Sequence, residues 1–187
     1  MESGWHYPRT GLRERIYRYF LKADGHRFTL FAERRKGKMH FLQYDLLPTA
    51  EHKGFTPVYV NFLLNKSDPA GVFYAALAAT REDRKFWAKL IPAGLKGGIK
   101  AAAPGGVEAT IEAECQRKST QGASQDLAAI AAELGALVKS EKRVLLMLDE
   151  VQHLATREEF EDFTASLRTM LDTHGKSVYA VFTGSSC

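Results

Sequence analysis

Cysteine is almost missing from this chain: two residues, Cys115 and Cys187, among 187. Two thiols build neither a disulfide framework nor a cysteine-ligated zinc cluster, so a reducing cytoplasm is the expected setting. Long apolar runs are missing as well. No stretch approaches the roughly 18 residues of a membrane-spanning helix, and the opening MESGWHYPRTGLRERIYRYF carries no apolar signal core. Internal repeats and long low-complexity tracts are absent too. What is present is ordinary globular composition, 45% apolar with a net charge of +4, which argues against a disordered chain. The length suits a single hydrophobic core.

Charge is unevenly spread. Residues 1–53 hold 11 Lys and Arg against 6 Asp and Glu, whereas residues 54–187 hold 15 against 16. The whole excess therefore gathers in the first third, around Arg13, Arg15, Arg18, Arg34, Arg35, Lys36 and Lys38. A local positive field favours an anionic partner, a nucleotide or a nucleic acid; a solvated basic helix face is the plainer alternative.

Periodicity gives the elements. Residues 11–22 set Leu12, Ile16, Tyr17, Phe20 and Leu21 on one helical stripe, closed by Asp24-Gly25. RFTLF (27–31) is a short strand. AERRKGK turns, and a helix begins near Lys38 with Phe41, Leu42 and Leu46 inward, kinked or ended by Pro48. PVYVNF (57–62) is a buried strand. Asp68-Pro69 opens a helix, with Asp as N-cap acceptor and Pro at the first helical position; Val72, Phe73, Ala76 and Leu77 line it, and it can extend to Leu90 before Pro92. From 107 to 115 apolar residues alternate with Glu and Thr, a half-solvated strand that Pro104-Gly105-Gly106 folds back on 99–103 as a hairpin. Ser124 can cap a helix striped by Leu127, Ile130, Ala131, Leu134 and Leu137. RVLLML (143–148) is apolar throughout, so buried on both faces. Thr156-x-x-Glu159 reads as a capping box for a helix bearing Phe160, Phe163, Leu167 and Leu171. VYAVF (178–182) is a last buried strand, and TGSS its exit turn. Strands alternating with helices predict an α/β fold, a three-layer α/β/α sandwich around a mostly parallel sheet, with a small hairpin insertion at 97–115.

Three segments can carry chemistry. The first is strand–Ala32-Glu33-Arg34-Arg35-Lys36-Gly37-Lys38-Met39–helix. A tight turn of backbone N–H groups, a Lys at its end and a helix behind it make a phosphate-binding loop, and Ala32 to Gly37-Lys38 has the G-x-x-x-x-G-K-[ST] spacing. Ala in place of the first Gly is a mild departure. Met39 is a serious one, because a thioether does not replace the hydroxyl that ligates Mg²⁺. His40 follows and points elsewhere on the helix. A plain basic turn is the alternative. The second segment is RVLLMLDE (143–150). Its strand delivers Asp149 and Glu150 to one sheet edge, Asp149 to hold the Mg²⁺ hydration shell and Glu150 to act as general base on water. Adjacent strand residues point to opposite faces, so the two carboxylates suit different roles; a strand exit that caps the next helix is the alternative. The third is VYAVFTGSS (178–186), where Thr183 or Ser185 sits between the other two sites. In α/β sheets ligands gather at the C-terminal ends of strands, and all three segments fall on such ends.

FTLFAERRKGKMHFL, VLLMLDEVQHL and VYAVFTGSS together resemble the Walker A, Walker B and sensor 1 segments of P-loop NTPases of the AAA+/STAND type, over about residues 10–186. The resemblance implies an ATP-binding core over residues 1–187 with a helical lead-in at 1–26 and the P-loop strand in the middle of a parallel sheet. It implies Lys38 on phosphate, Asp149 on Mg²⁺, Glu150 on water and Thr183 or Ser185 as sensor, with Tyr17 and Phe20 as candidates for the adenine site or for plain core. Relatives usually continue into a fifth strand and a helical lid, and the expectation is that this chain stops short of both. Gln152 is a candidate nucleotide sensor, His153 a polar residue of the exit loop. Ser185, Ser186 and Cys187 lack the surroundings of a nucleophile elbow.

Three functions follow as expectations. The first is a Mg·ATP-binding, hydrolysing domain. The second is a degenerate module that holds nucleotide without turnover or serves protein interaction, with a protein partner or a second copy. The third is a basic nucleic-acid-binding module, for which no helix-turn-helix, zinc or aromatic-interleaved basic pattern is visible.

Overall fold

The computed structural model describes residues 7–22, 25–33, 36–82 and 127–185. Its elements run α1 (Thr10–Lys22), β1 (Arg27–Ala32), α2 (Lys38–His40), a π-helical turn (Phe41–Leu46), α3 (Leu47–Ala50), β2 (Thr56–Asn61), α4 (Pro69–Glu82), α5 (Leu127–Ser140), β3 (Val144–Asp149), α6 (Glu161–Thr173) and β4 (Val178–Ser185). Short 3-10 turns at Glu51–Lys53, Val151–Ala155 and Glu158–Phe160 join them. The expected hairpin at 97–115, the helix extension to Leu90 and the Ser124 cap lie outside the described residues.

The four strands form one all-parallel sheet in the order β1-β4-β3-β2. Successive side chains point to opposite faces of a strand, and on β3 and β4 both sets are apolar because helices cover both faces. On one face Val58, Val60, Leu146, Leu148, Val178 and Ala180 pack under α4, α5 and α6. On the other, Leu145, Met147, Tyr179 and Val181 pack under α1 and the helical stretch from Phe41 to Ala50. The molecule is thus an α/β fold compatible with three α/β/α layers.

Strand position follows composition. The middle strands β3 and β4 are those with two apolar faces. β1 alternates exposed and half-buried residues, with Arg27, Thr29 and Phe31 on its bare face. Among the described residues it pairs with β4 alone and forms an edge of the sheet. Among the described strands β1 thus stands at the edge and not in the middle, where the resemblance places it.

Three local expectations are corrected as well. Of the two outcomes expected for Pro48, a kink or an end, the structure excludes the end: the helix continues past it. A proline removes one backbone donor and crowds the carbonyl four residues back. Here the turn just before it widens to π geometry, with the N–H of Leu47 donating to the carbonyl of Leu42, and the helix continues to Ala50. The Thr156-x-x-Glu159 capping box does not form. Thr156 ends the preceding 3-10 turn, its hydroxyl donating to the carbonyl of His153, and the next turn starts one residue later from the extended Arg157, with Glu159 inside it. Finally, Thr183-Gly184-Ser185 is not an exit turn; it extends β4 beside Leu30, Phe31 and Ala32. The stripes themselves hold: Ile130, Leu134 and Leu137 of α5 and Phe163, Leu167 and Leu171 of α6 are buried.

Asp68 caps α4 as the sequence suggests: its Oδ1 accepts from the N–H of Gly71 at 2.7 Å. A Cβ on Gly71 would lie 2.1 Å from the Asp68 carboxylate, so a larger residue there would make that carboxylate shift. Asp68→Ala is expected to lower the unfolding free energy by about 1 kcal/mol in urea titrations, and Asp68→Asn to keep most of it.

Candidate functional site

The parallel sheet gathers its C-terminal strand ends on one edge, and the three segments singled out in the sequence meet there. β1 leads into the loop that ends at Gly37 and Lys38. Gly37 has φ 72°, ψ 31°, a left-handed conformation that favours glycine, and its carbonyl accepts from the N–H of Phe41 to start the helix. Lys38 is 6% exposed. Its ammonium donates to the carbonyls of Ala32 at 2.7 Å and Glu33 at 3.0 Å, and lies 3.3 Å from the Ser185 hydroxyl. A buried ammonium needs its donors satisfied, and these three oxygens meet all three hydrogens. Met39 is half-buried beside it. His40 is exposed against the Tyr44 ring, away from the loop as expected. The side chains of Glu33 and Lys36 pair with each other at 3.4 Å in solvent. Arg34 and Arg35 lie outside the described residues.

A further cation that the sequence reading missed holds the loop. Arg9, just ahead of α1, donates through Nη2 to the carbonyl of Lys36 at 2.6 Å and through Nη1 to that of Gly37 at 3.4 Å. Its own N–H donates to the buried carboxylate of Asp45 at 3.2 Å. The only sequence signal was a basic residue before the first helix.

β3 delivers Asp149, 2% exposed. The strand alternation that turns Leu145 and Met147 toward α1 turns Asp149 the same way, as it does Tyr59, Thr183 and Ser185 on the neighbouring strands. Asp149 Oδ1 accepts from the Thr183 hydroxyl and from the N–H of Glu150 at 3.0 Å; Oδ2 accepts from the Tyr59 hydroxyl at 3.1 Å. Burial pushes the carboxyl up from its ordinary range, and the hydrogen bonds from Thr183 and Tyr59 oppose that. Tyr59 was legible only as a residue of a buried strand.

Glu150 does not continue the alternation of β3. It leaves the strand at φ 59°, ψ 39°, the one non-glycine residue with positive φ among the described residues. Its carboxylate accepts from the side-chain amide of Gln152, whose Oε1 accepts from the N–H of Ser185 at 3.2 Å. His153 meets the carbonyl of Lys66 at 2.9 Å through Nε2 and packs on Phe160, in keeping with an exit-loop role. Tyr17 and Phe20 are core residues. Both are buried against Phe55, and the Tyr17 hydroxyl, which burial keeps protonated, donates to the carbonyl of Leu46 at 2.7 Å.

The arrangement sets an ammonium, two carboxylates and two hydroxyls around the ends of β1, β3 and β4. No group of three His, Cys, Asp or Glu able to hold a metal occurs among the described residues; of the two carboxylates here, Asp149 is buried and Glu150 half-buried. Mg²⁺ is commonly held by one or two carboxylates, its own waters and substrate phosphates, and Asp149 retains a lone pair on Oδ2 for such a shell. No helix among the described residues is long and apolar enough to cross a membrane. The chain matches no protein-family model and no curated protein sequence.

A carboxyl whose pKa is raised on folding penalises the folded state once the unfolded carboxyl has ionised: stability is full below the unfolded pKa and falls as pH rises toward the folded one. Asp149→Asn keeps the acceptor for Thr183 and Glu150 and removes the buried charge. It is expected to raise the urea midpoint at neutral pH, with a smaller gain at pH 4.

Proposed function

We propose that this edge binds a nucleoside triphosphate with Mg²⁺, in the manner of a P-loop NTPase of the AAA+/STAND type. The observation that supports it most is the convergence of Lys38 with Ser185, beside Asp149 and Thr183, at the shared C-terminal edge of an all-parallel sheet. Lys38 exchanges its backbone acceptors for the β- and γ-phosphates. The backbone N–H groups of the Gly37 turn face the same anion. Asp149 would hold the hydration shell of a Mg²⁺ ion, which would supply positive charge against the phosphates. Glu150 takes a proton from the attacking water, and Ser185 or Thr183 contacts the terminal phosphate. The protein would work in the cytoplasm, where Mg·ATP is at hand.

A second reading is a module that holds nucleotide without turnover, and two observations favour it. Met39 stands where a hydroxyl would ligate the ion, and the Asp149 carboxylate already accepts three hydrogen bonds. A nucleic-acid role for the basic first third has weaker support, because the buried Lys38 faces backbone carbonyls rather than solvent and the half-buried Arg9 is held by two more.

Calorimetric titration with Mg·ATP separates these readings. Binding that Lys38→Ala weakens by at least about 100-fold, the loss of roughly 3 kcal/mol of charge-assisted contact, supports the nucleotide site; no binding by the intact chain removes it. Met39→Thr is expected to make binding and phosphate release more dependent on Mg²⁺. Unchanged Mg²⁺ dependence would favour the non-hydrolysing module.

A further inference from the structure

We infer that Gln152 is a positioning residue that ties the carboxylate of Glu150 to the tip of β4, and through Ser185 to Lys38, so that the state of the lysine is transmitted to the carboxylate. The transmission stands on the contacts themselves; its consequence for hydrolysis rests on the nucleotide reading above.

The chain of contacts is continuous. The Lys38 ammonium lies 3.3 Å from the Ser185 hydroxyl; the Ser185 N–H donates to Gln152 Oε1 at 3.2 Å; Gln152 Nε2 donates to Glu150 Oε2. The amide orientation is fixed at both ends, since a backbone N–H only donates and a carboxylate only accepts. Reversing the carboxamide would lose both bonds.

The backbone is shaped for this link. β4 outruns β3: their last paired positions are Leu148 and Phe182, while β4 continues to Ser185. The Ser185 N–H therefore lies beyond the strand ladder on that side, and Gln152 supplies its acceptor. Gly184 makes room. A Cβ there would lie 2.7 Å from Gln152 Oε1 and 2.2 Å from the Phe31 ring. Glu150 turns left-handed straight after β3, at a cost that non-glycine residues rarely bear, and its side chain meets the Gln152 amide two residues on. When Lys38 turns to an anion, Ser185 loses its ammonium contact, and Gln152 is the side chain that connects this change with Glu150.

The test uses the full chain with ¹³C-labelled glutamate and ¹⁵N-labelled backbone, at a pH well above the carboxylate range. Gln152→Ala is expected to move the Glu150 carboxylate resonance and to speed exchange of the Ser185 amide by about five-fold, as for one lost hydrogen bond. Gln152→Glu keeps an acceptor for Ser185 and opposes Glu150, so it is expected to move the Glu150 resonance and leave Ser185 exchange slow. Lys38→Met is expected to move the Glu150 resonance in the otherwise unaltered chain and not in the Gln152→Ala background. A Glu150 resonance that ignores Gln152→Ala, or that responds to Lys38→Met equally in both backgrounds, overturns the link. With Mg·ATP, Gln152→Ala is expected to lower kcat about ten-fold or more with KM within two-fold; an unchanged kcat overturns the catalytic consequence alone. If Mg·ATP does not bind, the nucleotide reading falls, and the resonances and the amide exchange still decide the link.

Discussion

The ammonium of Lys38 has three hydrogens, and three oxygens meet them away from solvent: the carbonyls of Ala32 and Glu33 and the hydroxyl of Ser185. That contact set joins the end of β1, the loop after it and the end of β4 at one point. A charge taken out of water is tolerated only where such partners replace the water, so the lysine and the loop fix each other. Arg9 repeats the logic from the other side, holding the carbonyls of Lys36 and Gly37. The basic excess of the first 53 residues is in this sense partly turned inward. Two of its eleven cations meet backbone carbonyls of one loop, so that part of the charge organises a turn.

The second constraint is the all-parallel sheet. Every strand exits at the same edge, so side chains far apart in sequence are neighbours there: Tyr59 and Asp149 are 90 residues apart and share a hydrogen bond. Strand alternation then sorts the chemistry. Tyr59, Asp149, Thr183 and Ser185 fall on the face toward α1, with Lys38. Glu150 leaves this sorting by its left-handed turn, and Gln152 brings it back into contact with β4 from beyond the end of β3. The turn at Glu150 and the absence of a side chain at Gly184 are one design: the first sends the carboxylate out of the strand, the second lets the amide that holds it approach the neighbouring strand.

Much of this was legible. Burial has a period, so the stripes of α1, α5 and α6 and the doubly apolar runs of β3 and β4 could be read directly, as could the Asp68 cap; Leu21 is the exception, assigned to the α1 stripe but exposed at the helix end. The candidate site was legible as three strand ends because an α/β order of elements dictates where such ends meet. What escaped the reading depended on partners distant in sequence. Thr156 had the spacing of a cap, yet it closes the turn before it, and the following turn starts one residue later at the extended Arg157. Pro48 promised a kink or an end, and a wider helical turn carries the helix past it. TGSS had the composition of a turn, and pairing with β1 kept it extended. Nothing local marks Arg9 as the holder of a loop 27 residues on, or Tyr59 as a donor to Asp149.

The polar partners of Asp149 also bear on the ion. A carboxylate offers about four lone-pair directions. Thr183 and the Glu150 N–H take both on Oδ1, and Tyr59 takes one on Oδ2. One direction is left, and Met39 adds no oxygen. An ion at this edge would therefore rest on its own waters and on phosphate oxygens, with Asp149 reaching it through a single oxygen unless Tyr59 or Thr183 gives way. The missing hydroxyl at position 39 and the tyrosine on β2 act in the same direction. One withholds a ligand and the other occupies the carboxylate that would supply the next. Were an ion to bind at this edge, its retention would depend on both Met39 and Tyr59, and replacing the thioether alone would leave the Tyr59 hydrogen bond on the carboxylate in place.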